Sequence, residues 1–151
     1  MYTFCKAGIQ DAAMLVRVRA DFLACFGPLT EKARAALDNY REYVLKGLHD
    51  GSFVLWIAEI GGATAATGSI TFYRLPPTER RPNGKAAYIG NMFTYPPYRR
   101  QGLAAKLLEL LLEEARAAGC GVVQLHTSSE GLPLYEKSGF AGAEDVMEVH
   151  L

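Results

Sequence analysis

A short loop of arginines and small residues offers the clearest chemistry in the chain. The segment RRQGLAA, residues 99–105, stands between an aromatic, β-prone run and a long leucine-rich segment. A glycine lets the backbone approach a ligand closely, and the first amides of a helix have no partner within it. The positive end of the helix dipole lies behind those amides, which suits a phosphate or pyrophosphate. With the charges of Arg99 and Arg100 beside Gly102, the loop predicts an anion-binding site.

The residues on either side predict the strand and helix that position this loop. Residues 88–95 suit a strand, and Pro96 and Pro97 end it because proline cannot donate to a β-ladder. The following helix has apolar residues on one side and charged residues on the other, and Gly119 closes it as a left-handed cap. Its predicted core-facing residues are Leu103, Leu107, Leu110, Leu111 and Ala115.

Two motifs resemble those of the GCN5-related N-acetyltransferases, the GNAT family. Arg99-x-x-Gly102-x-Ala104 is similar to the family's pyrophosphate loop, which has Arg or Gln, then Gly, then Gly or Ala at this spacing. LYEKSGF, residues 134–140, resembles the family's carboxy-terminal tyrosine motif. The resemblance covers roughly residues 88–140 and implies the mixed α/β (α+β) fold of acyl-CoA N-acyltransferases. That fold is a twisted mixed sheet flanked by helices, here one domain over residues 1–151.

The resemblance also implies acetyl-CoA as cosubstrate and a set of residues that bind it. The pyrophosphate would lie on the loop, and backbone groups of the preceding strand would bond the pantetheine arm and the acetyl carbonyl. Many relatives have an asparagine seven residues before the motif tyrosine, where this chain has Ser128, so Ser128 or Ser129 is expected to serve instead. The expected binding residues are Met92, Phe93, Thr94, Arg99, Arg100, Gln101, Gly102, Leu103, Ala104, Ala105 and Ser128.

Acetyl transfer requires a neutral amine, a donor for the oxyanion and stabilisation of the departing thiolate. The resemblance makes Tyr135 the general acid that meets the last requirement. A phenol has a pKa of about 10 and an alkyl thiol one of about 8.5, so hydrogen-bond donation to the sulfur is easier than complete proton transfer. The alternative is that Tyr135 only packs its ring beneath the sheet, and the resemblance favours the catalytic role.

The sequence leaves three candidates for the general base. Many relatives carry a glutamate on the strand before the loop, but residues 88–95 contain no acid. His126 lies near the end of a short predicted strand, and histidine changes charge near neutral pH, although a buried structural histidine is the alternative. Glu59 on an earlier hairpin and a chain of water molecules are the other candidates. We assign the base to His126.

The remaining segments predict the other elements of the domain. Strands are expected at residues 2–6, 53–60, 65–74 and 122–127, with Gly61 and Gly62 in a hairpin turn. Helices are expected after Asp11, from Thr30 to about Leu48, and from about residue 128 to 137, and a final pair of strands covers residues 140–151. Residues 75–85 are predicted to be a loop, either an exposed connection or a flap over the acceptor site.

The composition limits the classes of function. Lys plus Arg and Asp plus Glu number 16 each, which gives no sign of a nucleic-acid or membrane partner. No apolar run approaches the roughly 20 residues that span a bilayer, and the amino terminus does not resemble a signal peptide. Cys5, Cys25 and Cys120 are scattered without a Cys-x-x-Cys pair, so we expect core residues in a reducing cytoplasm and no metal site.

The sequence therefore predicts a cytoplasmic N-acetyltransferase that acts on a primary amine of a small molecule or peptide. The amine would attack acetyl-CoA directly in a ternary complex. The alternative is a non-catalytic acyl-CoA binding or sensing module, which keeps the loop and needs no base. The terminal strands could also pair with the edge of a second copy and form a homodimer.

Overall fold

One five-stranded sheet in the order β1-β2-β3-β4-β5 organises the computed structural model, which describes residues 1–151. The strands are β1 (Thr3–Lys6), β2 (Phe53–Ile60), β3 (Ala63–Arg74), β4 (Lys85–Thr94) and β5 (Val122–Leu125). The helices are α1 (Ala12–Ala24), α2 (Glu31–Asp50), α3 (Leu103–Ala117) and α4 (Leu132–Lys137). Strands β1 to β4 are antiparallel neighbours, whereas β5 runs parallel to β4. The predicted mixed sheet flanked by helices is confirmed.

Each face of the sheet is covered by a different pair of helices. Because side chains alternate along a strand, Leu55 and Ile57 face α1 and α2, where they form one apolar cluster with Leu15. Ile70 and Ile89 face the other side and pack against α3 and α4. Any group on β4 therefore belongs either to the α1–α2 face or to the α3–α4 face.

Helix α3 forms as predicted, with one error in its buried stripe. Gly102 and Gly119 adopt left-handed conformations at its two ends, with φ of 81° and 75°. Leu108 is completely buried, whereas Leu110, which was expected to face the core, is only half-buried. The sheet is broad, so it covers a wider part of the helix circumference than a single narrow stripe. The adjacent residues Leu107 and Leu108 are therefore both buried.

The first half of the chain follows its sequence signals closely. Thr30 caps α2, since its hydroxyl accepts a hydrogen bond from the amide of Ala33 at 3.1 Å. Helix α2 continues to Asp50, beyond the predicted end, and Gly51 closes it in a left-handed conformation. No helix has both the length and the apolar character required to cross a membrane.

The prediction of two final strands is wrong. Residues 140–151 contain no strand, and β5 ends at Leu125 with its outer edge unpaired. The segment AGAED, residues 141–145, has residues of low β-propensity, so no strand forms there to pair with the apolar residues that follow. Met147 and Val149 are consequently exposed.

Two further expectations are corrected by the positions of side chains. Cys5 and Cys25 are exposed and not part of the core, and Cys120 is half-buried. The loop of residues 75–84 contacts the turn after α3, where Asn83 Nδ2 donates to the Gly119 carbonyl at 2.8 Å. That turn lies at the end of α3 opposite the arginine loop, which favours an exposed connection over a flap.

Candidate active site

Strands β4 and β5 are paired over only part of their length and then separate. Their register runs from Ala86 with Val122 to Ile89 with Leu125, where β5 ends. Strand β4 continues to Thr94, so its edge after Ile89 has no strand partner on the side of β5, and we call the space beside this edge the groove. An unpaired strand edge offers backbone donors and acceptors to an extended ligand. The residues expected to bond the pantetheine arm, Met92, Phe93 and Thr94, all lie on this stretch.

A β-bulge interrupts β4 beside this groove. Two residues, Asn91 and Met92, stand opposite the single residue Gly68 of β3. Asn91 has a φ of 52°, and the only other non-glycine residue with positive φ is Arg100, at 62°. Such conformations are uncommon outside glycine and are held in place by their surroundings. Both lie where the resemblance predicts contacts with acetyl-CoA, one on the strand and one in the loop.

Buried hydroxyl groups of β3 hold the bulge. Asn91 Nδ2 donates to Ser69 Oγ at 2.9 Å, and Ser69 Oγ donates to the Gly90 carbonyl at 3.0 Å. Thr67 Oγ1 donates to the Asn91 carbonyl at 3.0 Å. Thr67 and Ser69 are the two buried polar residues of the chain, and their burial strengthens these bonds. The backbone next to the groove is thereby fixed.

The predicted anion loop presents a series of free backbone amides. The amides of residues 100–105 donate to no carbonyl of the chain, and the first bond of α3 runs from Lys106 N to Gly102 O at 3.1 Å. The left-handed conformations of Arg100 and Gly102 turn the loop into the helix. A β-carbon on Gly102 would meet no atom within 4 Å, so the space beside it is open. This arrangement suits a phosphate or pyrophosphate.

The loop side chains brace it and leave positive charge at its surface. Arg99 Nε donates to the Thr94 carbonyl at 2.9 Å, which ties the loop to the end of β4. Gln101 Oε1 accepts a hydrogen bond from the Tyr2 hydroxyl at 2.5 Å. Both Arg99 and Arg100 are exposed, and neither pairs with a carboxylate. Their charge remains available to an anion.

Tyr135 lies on the α3–α4 face at the point where β4 and β5 separate. It is 8% exposed and packs in one cluster with Ile89 and Leu125, the last pair of the two strands. Its hydroxyl bonds to no protein atom and is not enclosed, so it still reaches solvent. Burial raises the pKa of the phenol, and the phenol of Tyr88 adds to the effect. Tyr135 therefore stays protonated well above neutral pH and remains a donor.

His126 directly follows β5 and belongs to a chain of polar side chains. The Tyr88 hydroxyl lies 2.6 Å from His126 Nδ1, and Glu148 Oε1 lies 3.1 Å from His126 Nε2. A carboxylate beside Nε2 favours a proton on that nitrogen, which leaves Nδ1 to accept the hydrogen bond of Tyr88. The His126 side chain is 74% exposed, so the alternative of a buried structural histidine is wrong.

The other residues singled out from the sequence lie further from the groove. Glu59 is on β2, which β3 separates from β4. Ser128 is an exposed residue before α4, where its hydroxyl accepts from the amide of Gly131 at 3.3 Å and its carbonyl accepts from Leu132. Ser128 thus helps to start α4, and its contact with acetyl-CoA stays a prediction.

A small pocket reaches the bulge from the α1–α2 face. Arg19 of α1 donates from Nη1 to Asn91 Oδ1 at 3.1 Å and thereby links the pocket to β4. Burial raises the pKa of Tyr40, which is on α2, to about 12, so its hydroxyl stays protonated. The pocket is lined by Leu15, Val18, Arg19, Phe22, Tyr40, Leu55, Thr67, Asn91 and Phe93. It lies on the face of the sheet opposite Tyr135.

A comparison with known protein families identifies the family of this sequence. The model of the acetyltransferase (GNAT) family aligns with residues 15–140 of the chain. The chain belongs to the GNAT family. The match takes in the bulged strand, the amide loop and Tyr135, so the resemblance drawn from two motifs extends over most of the domain.

Solved structures and a curated relative support the family. A predicted acetyltransferase with acetyl-CoA from Clostridium acetobutylicum is 31% identical, with a TM-score of 0.91 over 99% of this chain and 96% of that one. A GCN5-related N-acetyltransferase from Ralstonia eutropha is 26% identical, with a TM-score of 0.88 over 99% of both chains. A glucosamine 6-phosphate N-acetyltransferase of Trypanosoma brucei brucei is 35% identical over 77 residues, and the match spans about half of each protein, 51% of this chain and 52% of the relative.

Three polar residues of this GNAT protein were not recognised from the sequence. Tyr88 and Glu148 flank His126 in space, but they are 38 and 22 positions away from it in the sequence. No local sequence pattern connects residues at such separations. Arg19 did leave a signal, because it stands four residues after Leu15 and three before Phe22, on the apolar stripe of α1. A charged residue in such a stripe is a candidate for a polar partner or a ligand.

Proposed function

We propose that this GNAT protein transfers the acetyl group of acetyl-CoA to a primary amine of a small molecule or peptide. The amine attacks directly while both substrates are bound. The observation that carries the proposal is the unpaired edge of β4 beyond Ile89. It has the free amides of residues 100–105 at one end and Tyr135 where β4 and β5 separate.

The chain offers suitable partners along the whole length of acetyl-CoA. The loop amides, with Arg99 and Arg100, would hold the pyrophosphate, and the free edge of β4 from Met92 to Thr94 would bond the pantetheine arm. Bound acetyl-CoA supplies an acetyl group on a thioester, which an amine can attack. Backbone amides next to the bulge at Asn91 would meet the negative charge that develops on the acetyl oxygen.

Tyr135 would stabilise the thiolate that leaves. The Tyr135 hydroxyl has no hydrogen-bond partner in the protein. The ring packs in one cluster with Ile89 and Leu125, next to the point where the two strands separate. The raised pKa of the phenol keeps the proton on oxygen at neutral pH. Tyr135 therefore acts chiefly by hydrogen-bond donation to the sulfur, since complete transfer from a weaker acid is unfavourable.

Tyr88, His126 and Glu148 would remove the proton from the amine. The Tyr88 hydroxyl passes its proton to His126 Nδ1 as it accepts one from the nitrogen of the acceptor, over a hydrogen bond of 2.6 Å. Glu148, at 3.1 Å from His126 Nε2, orients the ring and stabilises the imidazolium that results. Together these three side chains would take the role of the glutamate that many relatives carry on the strand before the loop.

The cytoplasm is the compartment we propose for the reaction. All three cysteines are free, and two of them, Cys5 and Cys25, are exposed. Exposed free thiols persist most readily in a reducing compartment. CoA would leave as a free thiol after transfer of the acetyl group.

Turnover of the Tyr135→Phe variant tests the proposal. Free thiol is measured with a chromogenic disulfide while acetyl-CoA is combined with amino acids, polyamines, amino sugars and peptides, and calorimetry gives the Kd for acetyl-CoA. Loss of the hydrogen bond to the leaving sulfur should lower kcat by about 10²- to 10³-fold, with the Kd unchanged. The control is Tyr95→Phe, because that hydroxyl bonds to Asp21 of α1 at 2.5 Å, on the face of the sheet opposite Tyr135.

The alternative of a non-catalytic acyl-CoA binding or sensing module makes the opposite prediction. Such a module binds acetyl-CoA but acetylates no amine, and Tyr135→Phe changes neither property. If wild-type protein turns over an amine and Tyr135→Phe turns it over equally fast, the role of Tyr135 is refuted while the transferase activity stands.

A further inference from the structure

We propose that the acceptor amine carries an oxyanion, a carboxylate or a phosphate, which Arg19 binds at the mouth of the pocket between α1, α2 and the bulge of β4. The enclosed part of the pocket, about 10 Å³, holds no more than a water molecule, whereas the free N–H groups of Arg19 are accessible. The inference rests on the proposed function, because it assigns this pocket to the acceptor. It names the chemical class of the substrate, which neither the family nor the fold specifies.

The guanidinium of Arg19 lies within cation–π distance of two aromatic rings. It lies over the ring of Phe22 at 5.3 Å and over that of Tyr40 at 5.7 Å. These contacts engage no N–H group of the guanidinium, and only Nη1 donates to a protein atom, the Asn91 amide oxygen. The group is therefore oriented before any ligand arrives, which lowers the entropy lost on binding.

Arg19 has no counter-ion within the protein. Its one hydrogen bond, from Nη1, goes to the neutral amide oxygen of Asn91 at 3.1 Å. No salt bridge includes Arg19, and the lining of the pocket contains no aspartate or glutamate. None of its remaining N–H groups is buried without a partner, so they are open to a ligand. A half-buried cation in an apolar lining strongly favours an anionic partner.

The pocket is placed so that an anion there would orient an amine toward the groove. Asn91, which accepts from Arg19, is the bulged residue of β4, and its backbone borders the groove. Tyr40 adds a hydroxyl that stays protonated, because burial raises its pKa to about 12. An oxyanion at the mouth of the pocket could therefore accept from Arg19 on the face opposite Tyr135.

Two variants separate binding of an anion from support of the bulge. In Arg19→Gln the side-chain amide can still donate to Asn91, but the positive charge is lost. Arg41→Gln is the matched control, since Arg41 is an exposed arginine of α2 that has no part in the pocket. Both variants change net charge equally, so any difference between them belongs to the site.

Binding is measured by nuclear magnetic resonance on the arginine Nε–H signals at constant ionic strength. The probes are inorganic phosphate alone, and N-acetylglycine or the neutral N-methylacetamide in the presence of CoA. We expect saturable shifts of the Arg19 signal with both anions and none with N-methylacetamide. An Arg19 signal that responds no more than that of Arg41 overturns the inference, whether or not CoA binds.

Turnover gives the second arm, with matched amines that differ only in the anion, such as glycine and its amide, or glucosamine and glucosamine 6-phosphate. Loss of one charge-assisted hydrogen bond should reduce kcat/KM for the anionic member about tenfold in Arg19→Gln, with the neutral member little changed. A wild-type preference for neutral amines, or a preference for the anion that survives in Arg19→Gln, contradicts the inference. Absence of any acetylation counts against the proposed function, and the phosphate titration then decides the anion site alone.

Discussion

Replacing Gly102 by alanine should weaken acetyl-CoA binding in addition to a small effect on the fold. Gly102 has a φ of 81°, and an added β-carbon would meet no atom within 4 Å. The substitution therefore introduces backbone strain without a clash, at about 1–2 kcal/mol for a left-handed residue. Rotation of φ toward negative values would relieve the strain, but it would turn the free amides of the loop away from their common target.

The same helix supplies a matched control in Gly119→Ala. Gly119 has a φ of 75°, and its added β-carbon would lie 3.7 Å from Asn83 Nδ2, an ordinary contact. Both variants should lose about 1–2 kcal/mol of unfolding free energy, or roughly 2–8 °C in Tm for a domain of this size. Only Gly102→Ala alters the amide loop.

The two variants should separate in calorimetric titrations with acetyl-CoA. Loss of one charge-assisted hydrogen bond is worth about 1.5–3 kcal/mol, so Gly102→Ala should raise the Kd roughly 10- to 100-fold. Gly119→Ala should bind as wild type. Equal weakening in both variants would show that the effect is a general loss of stability, and wild-type affinity in Gly102→Ala would refute the assignment of the loop.

Three further outcomes follow from the packing. Leu108→Ala should lower the unfolding free energy by about 2–5 kcal/mol in urea titrations, and Leu110→Ala by less than half as much, because only Leu108 is fully buried. Ser69→Ala should cost about 1–3 kcal/mol and reduce kcat, since it removes the partner of Asn91 at 2.9 Å. Because burial raises the pKa of Tyr40 to about 12, unfolding free energy should fall as pH rises from about 10 to 12, and Tyr40→Phe should lessen that fall.

Elements with local signals were predicted well from the sequence. The threonine cap of α2, the Gly61-Gly62 turn between β2 and β3, and the proline stop after β4 each depend on neighbouring residues alone. The arginine–glycine loop belongs to the same class, because its free amides follow from the start of a helix. In each case the residue type directly determines the backbone geometry.

Features that depend on distant residues were missed. The predicted buried side of α3 included Leu110 and left out Leu108. A segment with six leucines is compatible with several buried sides, and packing against the sheet determines which of them is buried. The bulge at Asn91 depends on Ser69 and Thr67 of β3, more than twenty positions earlier in the chain. Periodicity along a strand contains no information about such partners.

The acceptor side shows the same limit. Arg19 was visible as a charge on an apolar stripe, but its partner Asn91 is 72 residues away. His126 was selected by residue type, whereas Glu148 contacts it from a segment wrongly expected to be a strand.

The most direct test of the account is acetyl transfer itself, followed by mass spectrometry of the acceptor together with thiol release. Purified protein is incubated with acetyl-CoA and a panel of anionic and neutral primary amines. The account predicts one acetylated amine formed for each free thiol released, at a rate that falls at least 100-fold in Tyr135→Phe. Tight binding of acetyl-CoA without acetylation of any amine, in wild type as in the variant, would contradict it.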